Sequence, residues 1–335
     1  MIKNSNINSN INSNISPQPE AKPQKTQARF LEVPEELTGQ RIDNYLIREL
    51  KIPKSRIYQM MRTGEVRVNK GRIKPTYRIQ VGDIIRIPPV EQSVMPSDAV
   101  IQARHEKLLE NIIYEDKNLL ILNKPAGLAV HGGDGVGAGV IEALRLLKPE
   151  EKFLELAHRL DKETSGCLII AKKRAALLHL HGLFKDGKIK KIYHAWVAGR
   201  WPKSLNKVEC KLQRNDQEGV GRKVTVVDKN SEEGKESLST FAVLKHLEDS
   251  TQLEVRLHTG RTHQIRVHCQ ISGHPIIGDD KYGKHSVNQK FAEKNMRRLY
   301  LHCYYMSFEM PESPEGKAGE KLEFFAKPSL WDIAP

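Results

Sequence analysis

The chain has 335 residues, 39% of them hydrophobic and 28% charged, and a formal net charge of +13. That length suits two or three domains with at least one full-sized core, and the balance excludes a wholly disordered chain. No apolar run approaches the roughly 18–20 residues of a membrane span, and the first residues lack both the apolar stretch of a signal peptide and the arginines of a transit peptide.

Residues 1–30 open with "MIKNSNINSNINSNISPQPEAKPQKTQ". Asn, Ser, Pro and Gln dominate, nothing there can build a core, and the segment reads as a disordered tail. From Gly39 the texture changes. "GQRIDNYLIREL" carries Ile42, Tyr45, Leu46 and Leu50 at helical spacing. A second helix is predicted in "PKSRIYQMMRTGEV", with Pro53 and Ser55 as start signals, Ile57, Met60 and Met61 as its apolar face and Gly64 as its stop. Short strands follow in "VRVN" and "IIRI". Between Gly39 and Val90 there are 12 Lys plus Arg against 4 Asp plus Glu, so +8 of the +13 sits in less than a sixth of the chain. A charge this localised points to a polyanionic partner, nucleic acid first, more than to solubility.

Residues 93–110 have mixed polarity without a clear period and read as a linker. Beyond them strands are predicted in "NIIYE", "NLLILNK", "GCLIIAK", "KKIYHAWVAG", "RKVTVVD", "STFAVLKHL", "TQLEVRLHT", "LYLHCYYMSFEM" and "KLEFFAK". Helices are predicted at Val140–Leu147, Lys172–Asp186, Thr262–Ser272 and Phe291–Arg297. Many strands joined by short turns, with few helices, argue for a large mixed, mostly antiparallel sheet. The four cysteines, Cys167, Cys210, Cys269 and Cys303, lie far apart without metal-ligand spacing, which suits reduced thiols in the cytoplasm.

Chemistry-bearing residues concentrate in four segments, "NKPAGLAVHGG", "HRLDKETSG", "KKIYHAWVAG" and "LHTGRTHQIRVHCQISGHPIIGDD". His263, His268 and His274 are five and six apart and cannot form a zinc helix, and the chain has no HExxH, Walker A loop, GxGxxG or GxSxG. Asp161 lacks the acidic partner a glycosidase needs and has Arg159, Lys162 and Arg266 as candidate counter-charges, the setting of an aspartate kept ionised. Taken singly these residues have plain structural readings: Asp161 as a cap or ion-pair partner, Tyr193 as a core residue, Arg266 as a helix-surface cation and His158 as a hydrogen-bonded structural histidine. Their joint occurrence favours function.

The four segments, in this order, resemble the signature segments of the RluA family of pseudouridine synthases, closest to its RluC branch, which modifies large-subunit ribosomal RNA. "GQRIDNYL" and "PKSRIYQMMRTGEVRVNKGRIKPTYRIQVGDIIRIPPV" resemble the S4 RNA-binding domain that precedes the catalytic domain in many members. The resemblance covers roughly residues 35 to 330. It implies an α+β protein in four parts: the tail 1–30, an S4 domain at 31–92, the linker 93–110, and a mixed, mostly antiparallel catalytic domain at 111–335. By the same resemblance Asp161 is the catalytic aspartate, Tyr193 the tyrosine packed on the target base, Arg266 the partner of the aspartate, and Arg159 an arginine that holds the flipped nucleotide or fills its place. Lys54, Arg56, Arg62, Arg67 and Lys70 are then candidate RNA contacts. The implied enzyme is a monomer without metal or organic cofactor, acting on large-subunit ribosomal RNA or its assembly precursor. Two rivals remain, a sister enzyme for transfer RNA and a non-catalytic assembly factor; the S4 segment counts against the first, and Asp161, Tyr193 and Arg266 together count against the second.

Overall fold

The computed structural model describes residues 27–50, 52, 54–90, 98–132, 138–215, 223–310 and 319–328. The chain divides into two compact units, Met1–Met95 and Pro96–Pro335.

The first unit sets two helices, α1 (Ile42–Leu50) and α2 (Lys54–Thr63), beside an antiparallel sheet of β1 (Arg29–Glu32), β2 (Arg67–Val68) and β3 (Ile84–Ile87) in the order β1-β3-β2. The helical spacing read from the sequence puts Ile42, Tyr45, Leu46, Leu50, Ile57, Met60 and Met61 into one core with Ile85 and Ile87. Each such aliphatic side chain contributes about 1.5–3 kcal/mol on full burial. α2 stops where expected: Gly64 has φ +75°, and the Glu65 N–H reaches back to the Met60 carbonyl at 2.9 Å. A β-carbon at Gly64 would meet only the flexible Arg72 side chain, 2.8 Å from its Nε, so it is the left-handed backbone that favours glycine here. Buried Asp43 joins the helices, taking hydrogen bonds from Arg41 Nη2 at 2.7 Å and Tyr58 Oη at 2.7 Å.

The second unit begins with α3 (Asp98–His105) and a 3-10 turn (Glu106–Asn111), so most of the segment read as a linker is helical. Ile101 and Leu108, two helical turns apart, enter the main core, and their burial is what orders these residues. At the other boundary, β1 starts at Arg29, so the last residues assigned to the tail form a strand; residues 1–26 lie outside the described residues.

There follow β4 (Ile112–Glu115), β5 (Leu119–Lys124), α4 (Val140–Leu147), β6 (Glu155–Leu156), β7 (Ser165–Ala171), α5 (Arg174–Lys185), β8 (Lys190–Ala198), β9 (Lys207–Asn215), β10 (Lys223–Val227), β11 (Lys235–His246), β12 (Ser250–Leu257), α6 (Gln264–Ile271), α7 (His285–Glu293), β13 (Leu301–Glu309) and β14 (Lys321–Phe325). The strands form one sheet in the order β10-β9-β11-β12-β8-β13-β7-β5-β4, with β14 on β13 and β6 on β7. Every described pairing is antiparallel except β7 with β13.

Strand β9 was not expected. Its buried Val208 and Leu212 alternate with charged neighbours that hide the period. The helix expected at Phe291–Arg297 lies earlier, with Phe291 near its end, because Phe291 is its one buried side chain and anchors it from the C-terminal side.

The parallel pair sets the stage for the site. β7 is buried along its whole length, and its second residue, Gly166, has φ +108° opposite Cys303 of β13. A β-carbon there would lie 2.3 Å from the Cys303 carbonyl oxygen. Only glycine lets the strands approach this closely, which fixes the exit of the loop 157–164 that precedes β7.

Candidate active site

Asp161 sits on that loop at the N-terminal end of β7, with the Thr164 N–H donating to its backbone carbonyl at 3.1 Å. Its side chain is 22% exposed and reachable from solvent. Arg266 Nη1 lies 3.4 Å from Asp161 Oδ2, and His263 Nε2 lies 3.6 Å from the same oxygen. Among the described residues Oδ1 has no such contact, so one oxygen of this partly exposed carboxylate is unpaired.

Arg266 is not the surface cation its position suggested. It lies on α6 at 9% side-chain exposure and makes a two-pronged pair with Asp279, whose carboxylate is fully buried. Both bonds, Nε to Oδ2 and Nη2 to Oδ1, are 2.8 Å. Asp279 Oδ1 also accepts the N–H groups of Lys281 and Tyr282 at 3.0 Å each, so this carboxylate is saturated. The Tyr282 ring lies under the guanidinium, 5.1 Å from its carbon. Burial alone would lower the Arg266 pKa, but the Asp279 hydrogen bonds and charge raise it above its ordinary value. The result is a permanent cation clamped in one plane, with Nη1 presented to Asp161.

The entry to α6 is equally constrained. Gln264 is buried and uses its whole amide: Oε1 accepts from Thr259 Oγ1 and the Arg261 N–H, while Nε2 donates to the Leu238 carbonyl and Ser239 Oγ. These bonds fasten the loop to β11. His263 before it takes a left-handed backbone, φ 53° and ψ 18°, uncommon for a residue with a β-carbon. Its Nδ1 meets Tyr282 Oη at 2.7 Å, and that hydroxyl already accepts the Val224 N–H at 2.9 Å. With the hydroxyl donating to Nδ1, the ring proton sits on Nε2, the nitrogen facing Asp161. Burial lowers the His263 pKa and the Asp161 charge only partly offsets it.

Tyr193 lies on β8 between Val255 of β12 and Cys303 of β13, 8% exposed. Burial first, then the Cys303 thiol and the Asp161 charge, raise its hydroxyl well above the usual tyrosine range, so it is a neutral phenol. Arg159 is exposed, two residues before Asp161. His158 is structural, as its plain reading held: its Nε2 accepts the Ile169 N–H at 3.0 Å, and burial pushes its pKa down to about 3.

Four residues were not assigned from sequence: His263, Asp279, Tyr282 and Lys124. Asp279 and Tyr282 lie in "GHPIIGDDKYG", and a buried arginine demands a carboxylate such as Asp279 supplies. Lys124, at the end of β5, is fully buried, and Nζ donates to the carbonyls of Pro125, Leu128 and Lys162 at 2.8, 2.8 and 3.0 Å. One ammonium thus pins the turn after β5 to the residue following Asp161.

Burial pushes the Lys124 pKa from 10.5 down to about 7, against the pull of Glu163 and Asp161. The linkage has a definite sign. Below pH 7 both folded and unfolded chains hold the proton and the burial penalty is fully felt. Between about 7 and 10.5 the unfolded chain holds a proton the folded chain has shed, so the native state gains up to about 1.4 kcal/mol per pH unit. Lys124→Met is therefore expected to lower stability more at pH 9 than at pH 6. Urea unfolding of both proteins at the two pH values measures this; a loss that shrinks at pH 9 would reverse the argument.

Of the expected RNA contacts, Arg62, Arg67 and Lys70 are exposed, whereas Arg56 is paired with Glu65 at 2.9 Å. The side chain of Lys54 lies outside the described residues. Among the described residues no group of three or more His, Cys, Asp or Glu is placed to hold a metal ion, and no helix is long and apolar enough to cross a membrane.

Comparison with known proteins places the chain that carries this arrangement. The RNA pseudouridylate synthase family matches residues 118–271, which hold Asp161, Tyr193 and Arg266, and the S4 domain matches residues 40–85. A Haemophilus influenzae protein named ribosomal large subunit pseudouridine synthase C is 48% identical over 305 residues, 90% of this chain and 92% of its own. One of the same name from Vibrio parahaemolyticus is 45% identical, covering 87% and 91%. The solved structure of human RNA pseudouridylate synthase domain containing 1 superposes with a TM-score of 0.53 at 28% identity, over 65% of this chain and 83% of that one. The chain belongs to the RNA pseudouridylate synthase family, in its RluA group, and carries an S4 domain ahead of the catalytic one. It is an RNA pseudouridine synthase.

Proposed function

We propose that this enzyme isomerises particular uridines of large-subunit ribosomal RNA, with Asp161 as the reacting carboxylate. The relatives that match over nine-tenths of both chains carry that substrate in their names, and the observation carrying the site assignment is Asp161 Oδ2 held against Arg266 while Oδ1 stays open. The reaction breaks the N1–C1′ bond, turns the base and joins C5 to C1′; C5 loses a proton and N1 gains one, so no redox partner is needed. A carboxylate serves as the nucleophile or as the base that takes a sugar proton, and either role needs lone pairs aimed at the nucleotide. The target base must leave its stack to reach Asp161, and the detached base must be kept there. Tyr193 supplies the ring against which it packs, and exposed Arg159 suits a role at the vacated stack. The decisive experiment maps pseudouridines in large-subunit ribosomal RNA with and without this protein in the cell. Sites that change only in transfer RNA would move the enzyme to the sister class.

The first unit supplies affinity in this reading. Arg62, Arg67 and Lys70 neutralise phosphates and release counterions, so binding weakens as salt rises. Replacing all three by alanine is expected to make the slope of log affinity against log salt shallower by about two to three units. Binding titrations on one ribosomal RNA fragment across salt check this; an unchanged slope would place the phosphate contacts elsewhere.

A further inference from the structure

We propose that the outer face of the sheet β1-β3-β2 holds an unpaired base of the RNA, stacked on Phe30 and flanked by Arg86 and Arg67. This rests on RNA being the substrate, but not on which RNA.

Cross-strand register carries the argument. Phe30 of β1 is directly opposite Arg86 of β3, and Arg86 is directly opposite Arg67 of β2. Residues paired in this way project from the same face, so the three side chains form one row across the sheet, roughly 10 Å from end to end. The opposite face holds Val68, Ile85 and Ile87 in the core, with Leu31 packed against it. The outer row owes nothing to that core. Phe30 is 66% exposed, and Ile84 on the same face is 49% exposed.

Two features of this row are unfavourable in the free protein. An aromatic ring stands in water, and two like charges face each other across adjacent strands, which destabilises a sheet. Among the described residues neither guanidinium makes an ion pair. Each is oriented instead by backbone carbonyls: Arg86 Nη1 donates to the Glu65 carbonyl at 2.8 Å, and Arg67 Nε to the Gly64 carbonyl at 3.2 Å. Glu32, opposite Ile84, is the acidic residue of this face.

A single ligand type relieves both defects. Unpaired RNA brings a base face for the ring and phosphates for the guanidiniums. A duplex brings the phosphates but keeps its base faces stacked. An apolar protein surface would cover Phe30 while burying two cations without counter-charge.

The test uses the full-length protein with Phe30→Trp, whose indole reports stacking by fluorescence quenching. The probes are an oligouridylate and a hairpin duplex with the same number of phosphates. The expected result is saturable quenching by the oligouridylate and little by the hairpin, with Phe30→Ala weakening oligouridylate binding about tenfold and hairpin binding hardly at all. Equal quenching by both probes, or none while both bind, would overturn the stacking site and leave the enzyme's RNA reading intact. Failure of the parent chain to bind either RNA or modify ribosomal RNA would instead sink that reading. If Phe30→Ala left RNA affinity unchanged but abolished a concentration-dependent dimer in sedimentation, the face would belong to a second copy of the chain.

Discussion

Asp161→Asn is expected to lower pseudouridine formation by about a thousandfold or more, the range that follows loss of an essential acid–base or nucleophilic group. RNA affinity should stay within about twofold of the parent. The substitution preserves volume and the turn that positions it, since the Thr164 N–H bonds to the backbone carbonyl and not to the side chain. What it removes is a carboxylate oxygen able to attack or take a proton. Stability should barely move, because the side chain is partly exposed and its nearest cation, at 3.4 Å, is already held by another carboxylate. Binding should persist because the +8 between Gly39 and Val90 is untouched. Release of tritium from 5-tritiated uridine in a ribosomal RNA fragment, under single-turnover conditions, reads the C5 proton directly. Turnover within tenfold of the parent would remove Asp161 from the chemistry.

Much of this arrangement could be read from the chain because it is local. The faces of α1 and α2 repeat at helical spacing, α4 ends where its apolar residues end, and Gly64 stops a helix by its own backbone freedom. The joint appearance of Asp161, Tyr193 and Arg266 was legible because each sits in a distinctive segment. What could not be read depends on partners far away in sequence. Arg266 has Asp161 and Asp279 as carboxylate neighbours, 105 and 13 residues away, and only the fold decides that the second takes both strong bonds. Lys124, a lysine beside a proline, has the look of an exposed loop residue until three carbonyls converge on it. Strand β9 alternates charge with apolar side chains, and its identity comes from pairing with β10 and β11 rather than from its own composition. Ile101 and Leu108 do carry a two-turn helical spacing, but their polar flanks concealed it.

The buried pair leads to the second large effect. Arg266→Met leaves the Asp279 carboxylate fully buried without its cation, and Asp279→Asn leaves the guanidinium without its clamp. Breaking a buried pair from either side costs about 3–5 kcal/mol, whereas neutralising both partners together is often nearly neutral. For a unit of this size the single variants should therefore melt roughly 10 °C lower. The double variant, Arg266→Met with Asp279→Asn, should regain at least half of that loss, since the Asn side-chain oxygen still accepts the Lys281 and Tyr282 N–H groups. Activity should behave differently. If Arg266 serves the reaction by presenting Nη1 to Asp161, the double variant regains stability and stays inactive, because no cation faces the carboxylate. Arg266→Lys should restore only part of the turnover, as an ammonium cannot hold Asp279 with two bonds and reach Asp161 with a third. Melting curves and single-turnover rates on the same four proteins separate the roles. A double variant that recovers turnover in step with its melting temperature would make Arg266 a scaffold of α6, and Asp161 would then work without a cationic partner.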